Sequence, residues 1–211
     1  MTGRRIAVID YDMGNLMSVT KALEWVGAEA APTRDPAVIR DATHIVLPGV
    51  GAFRDCMRHL TEYGLVEPLL GGIEAGKPFL GICLGLQLLF DESTEFGSHR
   101  GLGLVGGRIE RFPSGAEVDG EKLKIPHMGW NGIKIKKDSK LLAGIPDGTY
   151  FYFVHSYYAA PKDPSVVLTT TDYGIDFASS IEVGNIHATQ FHPEKSQKAG
   201  LRVLKNFSNL E

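Results

Sequence analysis

Apolar positions in the first half of the chain switch between short solid runs and helical spacing. Arg5 to Asp10, His44 to Leu47 and Phe79 to Ile82 carry compact apolar runs, which read as buried strands. Leu16, Val19, Leu23 and Val26 recur at three and four residues, the spacing of a helix with one apolar face, and Asn15 stands at its N-cap position. Phe53 to Leu60, Leu65 to Ile73 and Leu84 to about Phe90 read as further helices. The second half has a different rhythm. Leu104 to Arg111, Gly132 to Ile135, Gly148 to Val154, Val166 to Thr171, Ala178 to Glu182 and Ile186 to Phe191 are strand-like, parted by turn residues such as Pro113-Ser114-Gly115 and Pro146-Asp147-Gly148. A last helix covers Ala199 to Phe207. Alternating strands and helices predict an α/β fold: a mostly parallel open twisted sheet with helices on both faces, extended by antiparallel strands. Residues 1–211 are expected to form one domain, with mobility around Ser114 to Lys122.

Composition narrows the function. The 211 residues are 43% hydrophobic, and 22 Lys plus Arg against 25 Asp plus Glu leave a net charge of −3. Such a chain has no general basic field for a phosphate backbone, which argues against a nucleic-acid partner. The uncharged stretch Pro78 to Phe90 falls short of the roughly 20 apolar residues of a membrane span. Asp10 and Asp12 end the apolar run after Arg4-Arg5 too early for a secretory leader, so a cytoplasmic protein without membrane contact is expected. Cys56 and Cys83 are too few for a disulfide framework or a Cys-rich zinc site, and the histidines lack metal-ligand spacing. No metal and no organic cofactor is expected.

The most informative segment is Gly81-Ile82-Cys83-Leu84-Gly85, a G-x-C-x-G between a strand and a helix. It is the thiol form of the nucleophile elbow. The flanking glycines relieve collisions at the sharp turn, the helix N-terminus favours thiolate, and the Leu84 N–H can bond a developing oxyanion. A cysteine merely packed in an apolar strand is the plainer alternative. Cys56, in a helical stretch with no such turn, is assigned to packing. Among the histidines, His192 stands out in Gln190-Phe191-His192-Pro193-Glu194. Pro193 favours extended chain at His192, which lets Glu194 at i+2 reach the imidazole. Cys83, His192 and Glu194 would then be nucleophile, base and orienter; alone, His-Pro-Glu could be a surface turn. Gly49, Val50 and Gly51, after the second buried run, free backbone N–H groups for a second oxyanion donor, unless they form a plain βα turn.

These pieces, in this order, resemble the class I (triad) glutamine amidotransferases over most of the chain. The stretch GICLGLQLLF, Gly81 to Phe90, is very close to the family form. Tyr11 to Leu16, Pro48 to Phe53, the P-H-M-G-W-N run Pro126 to Asn131, and Tyr152 to Tyr157 look like the branch that supplies the glutaminase subunits of imidazole glycerol phosphate synthase. The resemblance implies a flavodoxin-like amidotransferase architecture. It implies that Cys83 attacks the side-chain amide of L-glutamine, with ammonia leaving through His192, and that Gln87, Ser156 and Tyr157 lie by the bound glutamine. It further implies a (β/α)8-barrel cyclase partner in a 1:1 heterodimer within histidine biosynthesis, with Asn15, Met128, Trp130 and Lys195 toward that partner. The Gly49-Val50 peptide is expected to become an oxyanion donor only when the partner and its ligand bind. Trp130 could equally be core by its residue type alone. Competing readings are a cysteine hydrolase using the same elbow, a non-catalytic subunit, and a glutaminase of another pathway.

Overall fold

The computed structural model describes residues 4–113, 117–118 and 121–211. The mobility expected at Ser114 to Lys122 falls largely outside them. The chain opens with strand β1 (Arg5–Ile9), helix α1 (Leu16–Trp25), β2 (Glu29–Thr33), α2 (Pro36–Asp41) and β3 (His44–Gly49). Helices α3 (Phe53–Glu62) and α4 (Val66–Glu74) lead to β4 (Phe79–Cys83), the short α5 (Leu84–Gln87), β5 (Phe90–Ser93) and β6 (His99–Arg100). Then come β7 (Val105–Arg111), β8 (Glu117–Val118), β9 (Glu121–Lys122), β10 (His127–Gly132) and β11 (Lys134–Ile135). Strands β12 (Tyr150–His155), β13 (Tyr157–Pro161), β14 (Val167–Asp172), β15 (Asp176–Val183) and β16 (Ile186–Thr189) precede the last helix, α6 (Gln197–Phe207).

The main sheet runs β2-β1-β3-β4-β16-β15-β13-β7-β5-β6. From β2 to β16 all neighbours are parallel, and from β16 to β7 they are antiparallel. Alternation along β1 shows why helices cover both faces. Ala7 and Ile9 join Ile39, Leu60 and Leu69 of α2, α3 and α4, whereas Ile6 and Val8 join Val19, Leu23, Val203 and Leu204 of α1 and α6. Strands β10 and β12 form a separate antiparallel pair. Loops at the carboxyl ends of the adjacent parallel strands β3, β4 and β16 therefore open on one edge, where open α/β sheets place their ligands. Among the described residues no helix is long and apolar enough to cross a membrane.

Several elements differ from the sequence expectation. The helix expected from Leu84 to Phe90 stops at Gln87. Leu88, Leu89 and Phe90 instead give their carbonyls to the Leu102, Leu104, Val105 and Gly103 N–H groups, and the chain enters β5. The strand expected over Gly132 to Ile135 is present as the short β11, Lys134–Ile135, while β10 and β13 were not expected at all. Neither were β2 and α2. β2 is an edge strand with a single buried residue, Ala30, and α2 buries only Ile39, so neither carries a strong apolar pattern.

Candidate active site

Cys83 ends β4 and caps α5 with φ +56° and ψ −108°, a conformation costly for any residue with a side chain. The two flanking glycines have separate causes. A Cβ on Gly81 would stand 2.6 Å from the Gly85 carbonyl oxygen, and one on Gly85 would stand 1.9 Å from that of Leu47. The turn folds back so tightly that α5 rests on β3 and β4 with no room for a methyl group. Gly49 lies opposite Cys83 in the β3–β4 register, and its Cβ would meet the Tyr11 hydroxyl at 2.7 Å.

His192 follows β16. Its N–H donates to the Tyr152 carbonyl at 3.0 Å and its carbonyl accepts from the Ser196 hydroxyl at 2.6 Å, which fixes the loop from both sides. Its Nδ1 donates to Glu194 Oε1 at 2.8 Å, and the two side chains are 2% and 1% exposed. The contact was anticipated but its backbone was not. His192 is extended, yet Pro193–Lys195 forms a 3₁₀ turn that swings Glu194 back onto the ring. Nε2 is buried and makes no hydrogen bond of normal geometry. Burial alone would disfavour the imidazolium; the charge and hydrogen-bonding capacity of Cys83, together with Glu194, outweigh it and raise His192 to about 10.

Cys83 and His192 share a cleft of about 320 Å³ whose lining includes Val50, Gly51, Leu84, Gln87, Glu95, His155, Ser156, Tyr157 and Lys195. This volume suits a small metabolite. Gly49 is not in the lining; it is packed behind the cleft against α5. The Val50 N–H is turned away from the sulfur and donates to the Met13 carbonyl at 3.3 Å.

Residues 7–209 match the family described as glutamine amidotransferase class-I. The chain belongs to that family. It is 57% identical to the imidazole glycerol phosphate synthase subunit HisH of Syntrophotalea carbinolica, over 97% of this chain and 100% of that one. With the HisH subunit of Geobacter sulfurreducens it shares 55% over 98% of this chain and 99% of the other, and with that of Aquifex aeolicus 56% over 96% and 95%. Two solved structures share its fold at low identity. One is described as the structure of PurLQS from Thermotoga maritima, with TM-score 0.74 and 20% identity over 99% of each chain. The other is described as a glutamine amidotransferase, with TM-score 0.72 and 19% identity over 97% of this chain and 99% of that one.

The amidotransferase gathers most of the residues expected at its site and disperses a few. Cys56 is fully buried, and burial, the first cause, pushes its thiol up to about 12, which fits packing. Met128 and Trp130 point outward from β10, 61% and 45% exposed, so Trp130 is not core. Trp130 and Lys195 both lie against the Tyr152 ring, at 6.2 and 5.9 Å. Asn15 is not drawn into that patch: its side chain caps α1 by accepting from the Ser18 N–H at 3.3 Å. Among the described residues no group of three or more His, Cys, Asp or Glu gathers as for a metal ion.

Sequence reasoning missed four residues of the amidotransferase site. Glu95, in the cleft, accepts from the Phe53 N–H and so caps α3. Gln190 is fully buried and donates to Cys83 Sγ at 3.6 Å. His127 and His155 bond to each other at 3.0 Å, and burial lowers them to about 4 and about 3. Both rings are therefore neutral in the folded protein at pH 6.5, near where free imidazole takes its proton. Below that pH the unfolded chain binds more protons than the folded one, so acid favours unfolding. We expect urea stability to fall as pH drops from 6.5 toward 4, by about 1.4 kcal/mol per pH unit for each histidine kept neutral. His127→Asn should flatten that slope, and an unchanged slope would show that His127 is not held neutral.

Proposed function

We propose that this chain is the glutaminase subunit of an imidazole glycerol phosphate synthase, using Cys83, His192 and Glu194 as its catalytic triad. The observation that carries the mechanism is the buried His192–Glu194 contact, which leaves Nε2 unpaired in the same cleft as Cys83. A Cys83 thiolate attacks the side-chain carbonyl carbon of L-glutamine and forms a tetrahedral oxyanion. Collapse breaks the carbon–nitrogen bond; the departing nitrogen takes a proton from His192 Nε2 and leaves as ammonia. The γ-glutamyl thioester remains. His192 then accepts a proton from water as its oxygen attacks the thioester, and glutamate departs with the thiolate restored. Gln87, Ser156 and Tyr157 line the substrate's place, and the Glu95 carboxylate is the anionic group in the cleft suited to the α-ammonium of glutamine.

The Leu84 N–H, first of a helical turn, lacks an intrahelical acceptor and suits the oxyanion. The second donor would be the Val50 N–H, which Gly49 and Gly51 leave free to turn. In this isolated chain Met13 occupies it. One missing oxyanion donor is worth about 10²–10³ in rate. We therefore expect the isolated chain to release glutamate slower by about that factor than the complex with the cyclase and its nucleotide substrate. Full activity in the isolated chain would refute the switch.

The exposed Met128 and Trp130, with Lys195 nearby, suit the centre of an interface with a (β/α)8-barrel cyclase, and Asn15 is assigned to the same interface on the family resemblance alone. A 1:1 heterodimer, a cytoplasmic location and a single domain over residues 1–211 complete the proposal. The ring-forming lyase step belongs to the partner, so this chain is the ammonia source. Rescue of a histidine auxotroph lacking its own glutaminase subunit tests the pathway; failure of a well-expressed chain to rescue would favour another ammonia acceptor.

A further inference from the structure

Side-chain amides and imidazoles in the core of this protein form a hydrogen-bond chain whose every direction can be assigned. Asn131 fixes the far end. Its Oδ1 accepts from the Gly132 N–H at 2.8 Å and its Nδ2 donates to the Asp172 carbonyl at 2.8 Å, so the amide orientation is settled. The remaining proton on Nδ2 faces His127 Nε2 at 3.3 Å, which must accept. His127 Nδ1 then carries a proton and donates to His155 Nε2 at 3.0 Å, and His155 Nδ1 donates to the Tyr157 carbonyl at 2.8 Å. The same carbonyl accepts from Gln87 Nε2 at 3.0 Å. The second Gln87 proton goes to Gln190 Oε1 at 3.0 Å, which turns Gln190 Nε2 toward Cys83 Sγ at 3.6 Å. Sulfur is the acceptor at the near end, and a thiolate accepts best.

Neither histidine lies in the triad, and neither is needed to fill the core as a polar residue. Phe112, Phe153, Tyr173 and Phe177 pack around His127, a setting in which an apolar ring would fit as well. Two polar rings there carry a desolvation cost that an apolar pair would not, and their hydrogen bonds offset it by fixing direction. Carrying the glutaminase reading further, we propose that His127 and His155 are positioning residues that hold the Tyr157 carbonyl and the Gln87 and Gln190 amides, and that Gln190 thereby fixes Cys83 Sγ for attack. The ring pair starts on β10, whose outward side chains are Met128 and Trp130, so the chain joins the back of that strand to the nucleophile.

The test uses the complex with the cyclase and its nucleotide, and reads the sulfur directly by iodoacetamide labelling without glutamine. Cys56 is fully buried with its thiol pushed up to about 12, so labelling reports Cys83. Gln190→Met keeps volume and removes the donor; His155→Leu removes both ring bonds; His155→Asn keeps a donor for the Tyr157 carbonyl. A hydrogen bond to a charged acceptor is worth roughly 10–100-fold, so Gln190→Met and His155→Leu should lower both kcat and the labelling rate by that factor. KM should move less than about threefold in Gln190→Met, whose side chain does not line the cleft, whereas His155 does line it. His155→Asn should restore most of the loss, which a purely space-filling role would not predict. Should His155→Leu fail to fold, Gln190→Met carries the test. Labelling of Cys83 at the wild-type rate in folded Gln190→Met overturns the proposal, whatever happens to kcat. Cys83→Ala keeps the two readings separate: glutaminase activity that survives it refutes the triad, whereas the labelling result bears on the relay alone.

Discussion

Substitution of Cys83 by Ala is expected to abolish glutamate release, by roughly 10⁴–10⁶-fold, while the protein folds and still assembles with its cyclase. The size follows from what is removed. Without sulfur there is no thioester, and the oxyanion donors act only on a much slower direct attack by water. The fold should tolerate the change. Cys83 is 7% exposed where the core meets the cleft, so a lost sulfur opens toward that cleft, and Ala can hold the positive φ no worse than Cys. Ammonium supplied from solution should still support imidazole glycerol phosphate formation by the complex, because the cyclase needs ammonia and not this sulfur. Cys56→Ala is the matched control. It touches the Tyr11 hydroxyl and the Val50 carbonyl through a fully buried thiol, so it should cost stability and spare the chemistry. Glutamate production by Cys83→Ala at more than a thousandth of the wild-type rate would overturn the nucleophile assignment.

The elbow was legible in sequence because its geometry is local. Gly81 and Gly85 answer to contacts within four residues or with the adjoining strand, so the spacing itself records the turn. The parallel half was legible for a related reason: strands buried on both faces, such as Ile45 to Leu47, leave solid apolar runs. Leu88 to Phe90 departs from the helical expectation because three consecutive apolar residues serve a helix or a strand equally well. The choice was made by distant Leu102 to Val105, whose N–H groups take up their carbonyls. Gln190 and the His127–His155 pair had no local signature either. Gln190 meets Cys83 across 107 positions and His127 meets His155 across 28, and neither spacing has a periodicity to betray it. The extended backbone expected for Glu194 gives way to a 3₁₀ turn after Pro193, and the contact survives because a one-residue gap is bridged by either geometry.

That contact supports the second large effect. Glu194→Gln is nearly isosteric, so the 2.8 Å contact with His192 Nδ1 can be kept while the charge is lost. Two consequences follow with fixed signs. Glu194 is among the groups that raise His192 to about 10, so its neutralisation must lower that value. The Gln amide can also offer its NH₂ to Nδ1, which stabilises the tautomer carrying its proton on Nε2. That tautomer cannot accept a proton from the sulfur or from water. Loss of a comparable orienting carboxylate costs about 10⁴ in kcat, and a fall of roughly 10³–10⁴ is expected here. The effect should sit in kcat, since Glu194 does not line the cleft in which glutamine would bind. Titration of the His192 ring by NMR supplies the physical check: its midpoint should move down in Glu194→Gln. An unmoved midpoint with a wild-type kcat would mean that the carboxylate only props the turn after Pro193, and the triad would reduce to Cys83 and His192.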